Sequence, residues 1–399
     1  EDQMASSTED VPSSQEPSPS PAEPAPAAEP SAARTALTAQ VSEALAKNAS
    51  ELHTSRWPNA AAVLATAVTS KPVALAALEA GALTTVARRM QELFDPNQYD
   101  DAMLEGSALL YNIVKHCGRP VEWDEVRDAL PACAFVLRES TDALALDNSA
   151  WTLARLMEGG TDTTPRAERL QAVLDAGVMP KLVELLDEHH ACANEGALRA
   201  CGNAVESSDE HTQARRAPSH LPHLPHLPHT SRLSHLTSRP RPASQVALDA
   251  GLLPALVALL RSDPPKLREP VTFHLSNIAS GTPPQLRRLI DAGAYPPVLR
   301  LLSNATEGQV ATNCAYTIVN ALQGGGATIA AELVTLGAVA PLVATMGKSS
   351  RAADVVRLAV DALRLILDAE GASPLGAIEA KHTAAAVAAG AAPALEAVA

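Results

Sequence analysis

The stretch VTFHLSNIASGTPPQLRRLIDAGAYPPVLRLL, residues 271–302, decides the architecture of this chain. It reads as a helical run carrying an Asn, a break at Gly281, and a short helix ending in Asp-Ala-Gly. A second apolar helix then opens on Pro. Glycine at a helix end takes the left-handed backbone that a side chain resists. Proline in the next helix's first turn gives up an N–H that had no partner there. The pair predicts a sharp corner between helices.

Working outward, the corner recurs. Glycines close the short helix at Gly81, Gly177, Gly251, Gly293, Gly337 and Gly390, and Pro follows at Pro180, Pro254, Pro296, Pro341 and Pro393. Gly251 to Gly293 is 42 residues and Gly293 to Gly337 is 44. Gly81 to Gly177 is 96, two units with one degenerate corner between them. A three-helix unit of roughly 40–47 residues has the length of an armadillo or HEAT repeat. Such a unit cannot bury its apolar face alone, so copies stack into a right-handed solenoid. The fold class expected is therefore all-α, an armadillo-type superhelix of about seven to eight repeats over 35–399, the last one incomplete.

Composition agrees. Of the 399 residues 46% are apolar but only 3% aromatic, which suits close-stacked helices better than a sandwich or barrel. The net charge of −14 argues against general nucleic-acid binding. No apolar run is long enough to cross a membrane. The five cysteines, at 117, 133, 192, 201 and 314, show neither metal spacing nor a disulfide framework, as in a reducing compartment. The chain opens on Glu1 rather than Met, consistent with a fragment or a processed form. No phosphate loop, nucleophile elbow or Cys/His ligand set is present, so neither an enzyme nor a cofactor is expected. His53, His116, His274 and His382 read as surface or packing residues.

Two segments stand outside the repeat. Residues 1–34 carry seven acids among Pro, Ser and Ala and read as a disordered acidic tail. At about 213–244 an insertion separates two segments that would otherwise join. It has five Arg, no acid, and His220, His223, His226 and His229 at period three. A disordered loop is the expectation; a His metal tract or a basic arm folding into the solenoid groove are the alternatives.

The third helix of each unit carries two positions four apart, which share one helix face. They are Val63/Ala67, Ala108/Asn112, Trp151/Arg155, Arg199/Asn203, Phe273/Asn277, Tyr316/Asn320 and Asp361/Leu365. Asn fills four of the seven second slots, although the chain has only 11 Asn, and an aromatic fills three of the first slots, although it has only ten aromatics. Successive third helices line one groove. A ladder of amides there can both donate to and accept from the backbone of an extended peptide. Aromatics between them form slots for Lys and Arg stems. The alternative is that the Asn residues cap carbonyls of neighbouring repeats and the aromatics are core.

These residues carry a resemblance. NSAWTLARLMEGG (148–160), LQAVLDAGVMPKLVELL (170–186), GALRACGNAVESSDEHTQ (196–213) and the opening stretch are similar to importin-α, the armadillo adaptor for proteins with basic nuclear localisation signals. The similarity covers about 57–370. It implies a nuclear import adaptor of cytoplasm and nucleus that binds Lys/Arg-rich signals of cargo proteins. The family's minor signal site falls on Arg199, Asn203, Phe273, Asn277, Tyr316 and Asn320, and of its major site only Asn112 and Trp151 match. The family's acids beside the minor-site aromatics fall on Pro270 and Asn313. The family's basic importin-β-binding segment has an acidic tail in its place, so docking on importin-β in the family's way is not expected. The final repeats, which bind the export receptor in the family, are matched only weakly after Gly337, so that partner is not counted on. An armadillo scaffold for another partner, of cytoskeletal or ubiquitin-ligase type, and a truncated product without transport activity are the other readings.

Overall fold

The computed structural model describes residues 57–92, 99–118, 122–158, 166–187, 194–206, 242–262, 264–347 and 352–371, with Ala36, Ala39 and Glu43 besides. The acidic tail, His220, His223, His226, His229, Cys192, Gly390 and Pro393 lie outside them. Among the described residues there is no strand. A lone helix, α1 (Trp57–Ala67), precedes six units. The first unit is α2 (Lys71–Glu79), α3 (Ala82–Glu92) and α4 (Tyr99–His116). The second is α5 (Trp123–Val126), α6 (Ala129–Glu139) and α7 (Ala143–Met157). The third is α8 (Arg166–Asp175), α9 (Met179–Glu184) and α10 (Asn194–Val205). The fourth is α11 (Pro242–Asp249), α12 (Leu252–Ser262) and α13 (Arg268–Ile278). The fifth is α14 (Pro283–Asp291), α15 (Tyr295–Asn304) and the first part of α16 (Gly308–Thr335). The sixth uses the rest of α16, then α17 (Val339–Met346) and α18 (Ala353–Gly371). The fold is an all-α, right-handed armadillo solenoid.

The corners form where glycine and proline place them. Gly81, Gly177, Gly251, Gly293 and Gly337 have φ of 72°, 69°, 94°, 70° and 84°. At Gly293 the chain closes as a Schellman turn, with Ala294 N–H donating to Leu289 O at 3.1 Å and Gly293 N–H to Ile290 O at 2.9 Å. The degenerate corner of the second unit has no glycine. There α5 is a single turn, and Arg127–Asp128 make the bend with right-handed backbone. In α16 the third helix of one unit runs into the first helix of the next, with Gly326 at φ 57° as the kink.

The third helices are longer than the pattern of slots alone shows. Helix α7 starts at Ala143 because Asp142 caps it, its carboxylate accepting from Ala145 N–H at 2.8 Å. Helix α11 begins at Pro242, so Ala243 and Ser244, at the end of the expected insertion, are buried helix residues.

Each unit is fastened to its neighbours. A continuous core of Leu, Val, Ile and Ala runs through the stack. Polar staples sit on top of it. Arg268 pairs with Glu307 at 2.8 Å, Arg288 with Asp249 at 2.7 Å, and Arg287 with Glu332. Arg300 donates to Leu260 O at 2.8 Å. Gln285 accepts from Thr282 N–H at 2.9 Å, which caps α14, and donates to Ser244 Oγ at 3.2 Å in the preceding unit. Cys117, Cys133, Cys201 and Cys314 are buried. Burial pushes Cys133 and Cys201 up to about 12, so neither is a nucleophile at neutral pH.

Candidate functional site

Helices α1, α4, α7, α10, α13, α16 and α18 pack in series, each against the next. Their slot residues lie along one track, and most of the first-slot side chains are half-buried.

At the N-terminal end, Tyr111 and Trp151 stack with ring centroids 6.3 Å apart and planes 25° from parallel. The Lys115 ammonium lies over the Tyr111 ring, 5.1 Å from its centre, so the chain supplies its own cation there. Asp147 is one turn before Trp151 on the same face, its Oδ1 is buried, and it acts electrostatically on Tyr111. Burial pushes its carboxyl up to about 6, and Glu195 adds to the rise while the Gly196 N–H opposes it. Gly196 is required for this approach. A Cβ there would lie 2.8 Å from Trp151 Cδ1 and 2.9 Å from Asp147 Oδ1.

The acids one turn before the first slot continue along the track. Glu195 precedes Arg199 and Glu269 precedes Phe273, both exposed. The positions expected from the resemblance hold Pro270 and Asn313, and Asn313 is buried, donating to Glu269 O at 3.3 Å.

In the middle, Glu158 is held between two arginines. Its Oε1 accepts from Arg199 Nη2 at 3.1 Å and Nε at 3.3 Å, and its Oε2 from Arg155 Nη1 at 3.0 Å. Buried Arg169, over the Trp123 ring at 5.7 Å, reaches the Glu158 carbonyl at 3.5 Å. Arg199 thus faces an internal carboxylate.

The Asn ladder serves the stack. Asn112 Nδ2 donates to Ala65 O at 3.0 Å, Asn203 Nδ2 to Ala154 O at 2.8 Å, and Asn320 Nδ2 to Ser276 O at 2.9 Å. Each acceptor belongs to the preceding third helix. Asn203 and Asn320 are 2% and 7% exposed. An amide nitrogen has two hydrogens, and the bond uses one of them. Asn277 differs: its Nδ2 is buried with no partner. Phe273 meets His274 edge-on at 5.7 Å, and Tyr316 lies half-buried on α16.

Tyr111, Asp147, Glu195 and Glu158 were not singled out by the slot pattern, and Arg155 was only a slot without an Asn. The available signal was helical spacing: Asp147 and Trp151 are four apart, and Tyr111 adjoins Asn112.

The architecture and the ladder together define an armadillo-repeat solenoid. A family model described as Armadillo/beta-catenin-like repeat matches residues 240–280. In sequence the chain is similar to importin subunit alpha-1a of Oryza sativa subsp. japonica, 30% identical over 190 residues, 47% of this chain and 29% of that protein. It is 34% identical to importin subunit alpha-8 of Mus musculus over 102 residues, 25% of this chain and 18% of that one. The matched span is less than a third of these relatives' length. In structure it is similar to a designed armadillo repeat protein in complex with the peptide (KR)4, at TM-score 0.53 and 21% identity, covering 71% of this chain and 99% of that one. An engineered protein matches at TM-score 0.51 and 22% identity over 91% of each chain. The chain is an armadillo solenoid in fold and is similar in sequence to importin-α subunits.

Proposed function

We propose that the chain is a peptide-binding adaptor of the nuclear import kind, holding Lys/Arg-rich segments of cargo proteins along the third-helix track in cytoplasm and nucleus. The carrying observation is the stacked Tyr111–Trp151 pair with Asp147 one helical turn before Trp151. A flat aromatic face accepts the aliphatic stem of Lys or Arg, and a carboxylate beside it attracts the charged end. Glu195 and Glu269 repeat the acid at the same helical position in α10 and α13, and Phe273 and Tyr316 repeat the aromatic. Arg199 lies on the same track, and Asn112, Asn203 and Asn320 hold its third helices in place through the carbonyls of Ala65, Ala154 and Ser276. The names of the relatives, all importin-α subunits, and the (KR)4 peptide of the designed structure support the same class of ligand. The net charge of −14 favours encounter with a basic segment.

The test is fluorescence anisotropy with a labelled Lys-Arg-Lys-Arg peptide at low and high salt. Binding that weakens with salt, and further on Trp151→Ala or Glu269→Lys, is the expected result. A helical, monomeric chain that binds no such peptide overturns the reading. The Arg155–Glu158–Arg199 cluster favours a second reading in that case, a scaffold for a folded partner. Two guanidinium groups in mid-track would then meet a partner's carboxylates.

A further inference from the structure

Four steps of the third-helix stack carry an Asn in the second slot, and one of the four is built differently from the other three. Between α1 and α4, α7 and α10, and α13 and α16, an Asn amide bonds a carbonyl of the preceding helix. Between α10 and α13 the amide of Asn277 has no partner. By position its acceptor would be Gly202, which precedes Asn203 as Ser276 precedes Asn277. The residue lying against Gly202 is His274. A Cβ on Gly202 would fall 1.8 Å from His274 Cε1 and 2.2 Å from its Nε2. At the equivalent place in the other third helices stand Leu64, Leu109, Thr152, Ala200, Thr317 and Ala362. His274 is thus an ionisable spacer, larger than its counterparts Ala200 and Thr317 in the adjoining helices, that fits only because residue 202 is glycine.

The spacer is costly in place. His274 is 3% exposed, and neither ring nitrogen makes a well-formed hydrogen bond; a weak contact to the Leu198 backbone is what reaches the ring. The Leu198 carbonyl faces the ring but opposes only part of what burial and Arg199 do, and the imidazole is held down to about 3. It is neutral at physiological pH, so the joint is not worked by protonation. Helix α13 also packs on α10 less extensively than the other third helices pack on theirs. Buried polar groups without partners favour the state in which water reaches them, and in a solenoid each interface opens on its own terms.

We propose that the α10–α13 joint is a built-in hinge, the step at which the solenoid opens into two halves. It falls inside the track, between Asn203 and Phe273, but the inference does not depend on what the track binds.

Native-state hydrogen exchange on the full chain tests it. The amides of α10 and α13 facing the joint are expected to exchange at least tenfold faster than those of α7 and α16. The size swap Gly202→Ala/His274→Thr should slow them to the level of their neighbours. Adding Asn277→Ala should speed exchange in the swapped chain and leave it unchanged in the original. Equal protection across α7, α10, α13 and α16 in the unaltered chain overturns the proposal with no variant needed. Exchange that stays fast after the swap overturns it as well.

Discussion

Asn203 donates its side-chain amide to the carbonyl of Ala154 at 2.8 Å, and the two are 49 residues apart in the chain. Asn320 repeats the bond to Ser276 across 44 residues. A net hydrogen bond of this kind is worth about 1 kcal/mol. Asn203→Ala and Asn320→Ala should each lower stability by about that amount, whereas Asn277→Ala should change it little, because its amide nitrogen has no partner. Urea midpoints of the three variants check this. A loss at Asn277 equal to that at Asn320 contradicts the difference between the two joints.

Glu158 neutralises Arg155 and Arg199 together. The three side chains are partly exposed, so Glu158→Gln should alter stability by less than about 1 kcal/mol. Its effect on a basic peptide should be larger, since it leaves two cations unbalanced on the track. The expected outcome is severalfold weaker binding of the labelled peptide, recovered in part by Arg155→Gln. Glu168→Gln, an exposed acid on α8, is the control and should change binding much less.

The corners were legible because φ is a hard constraint. Gly81, Gly177, Gly251, Gly293 and Gly337 are where the left-handed turns form. The corner at Arg127–Asp128 was legible only as a gap in the spacing, since right-handed residues leave no compositional mark. The start of α7 depends on the Asp142 cap, nine residues before the Trp151 slot. Partners of polar groups were not legible. An amide in a ladder suits a peptide and a neighbouring carbonyl equally, and only the packing distance between α7 and α10 decides that Asn203 meets Ala154. For the same reason Glu158 had no place until Arg199, 41 residues on, was brought beside it.

Gly177 offers a clean measure of what a corner costs. Its φ is 69°, and a Cβ there would meet nothing within 4 Å. Gly177→Ala therefore tests backbone strain alone. The expected loss is about 1 kcal/mol, seen as a lower urea midpoint with unchanged far-ultraviolet helicity. No loss at all shows that the corner tolerates a side chain.

Asp147 should make both stability and binding depend on pH. Burial, helped by Glu195 and opposed by the Gly196 N–H, pushes its carboxyl up to about 6, against about 3.9 for an unfolded aspartate. The folded state therefore holds its proton more tightly than the unfolded one. By linkage, this residue's contribution to stability falls as pH rises from about 4 to about 6 and is flat above that. Binding runs the other way. A Lys or Arg beside Trp151 is attracted by the ionised carboxylate, so affinity for the basic peptide should be higher at pH 7 than at pH 5. Tyr111 and Glu195 are the other ionisable groups that interact with Asp147, and Arg155 acts in turn on Tyr111. Asp147→Asn should flatten both profiles between pH 5 and 7, weaken the peptide at pH 7, and leave the chain folded. A pH profile of anisotropy and of urea midpoints, measured on both proteins, reads the two effects together. Parallel slopes in the original and the variant would place the titrating group elsewhere.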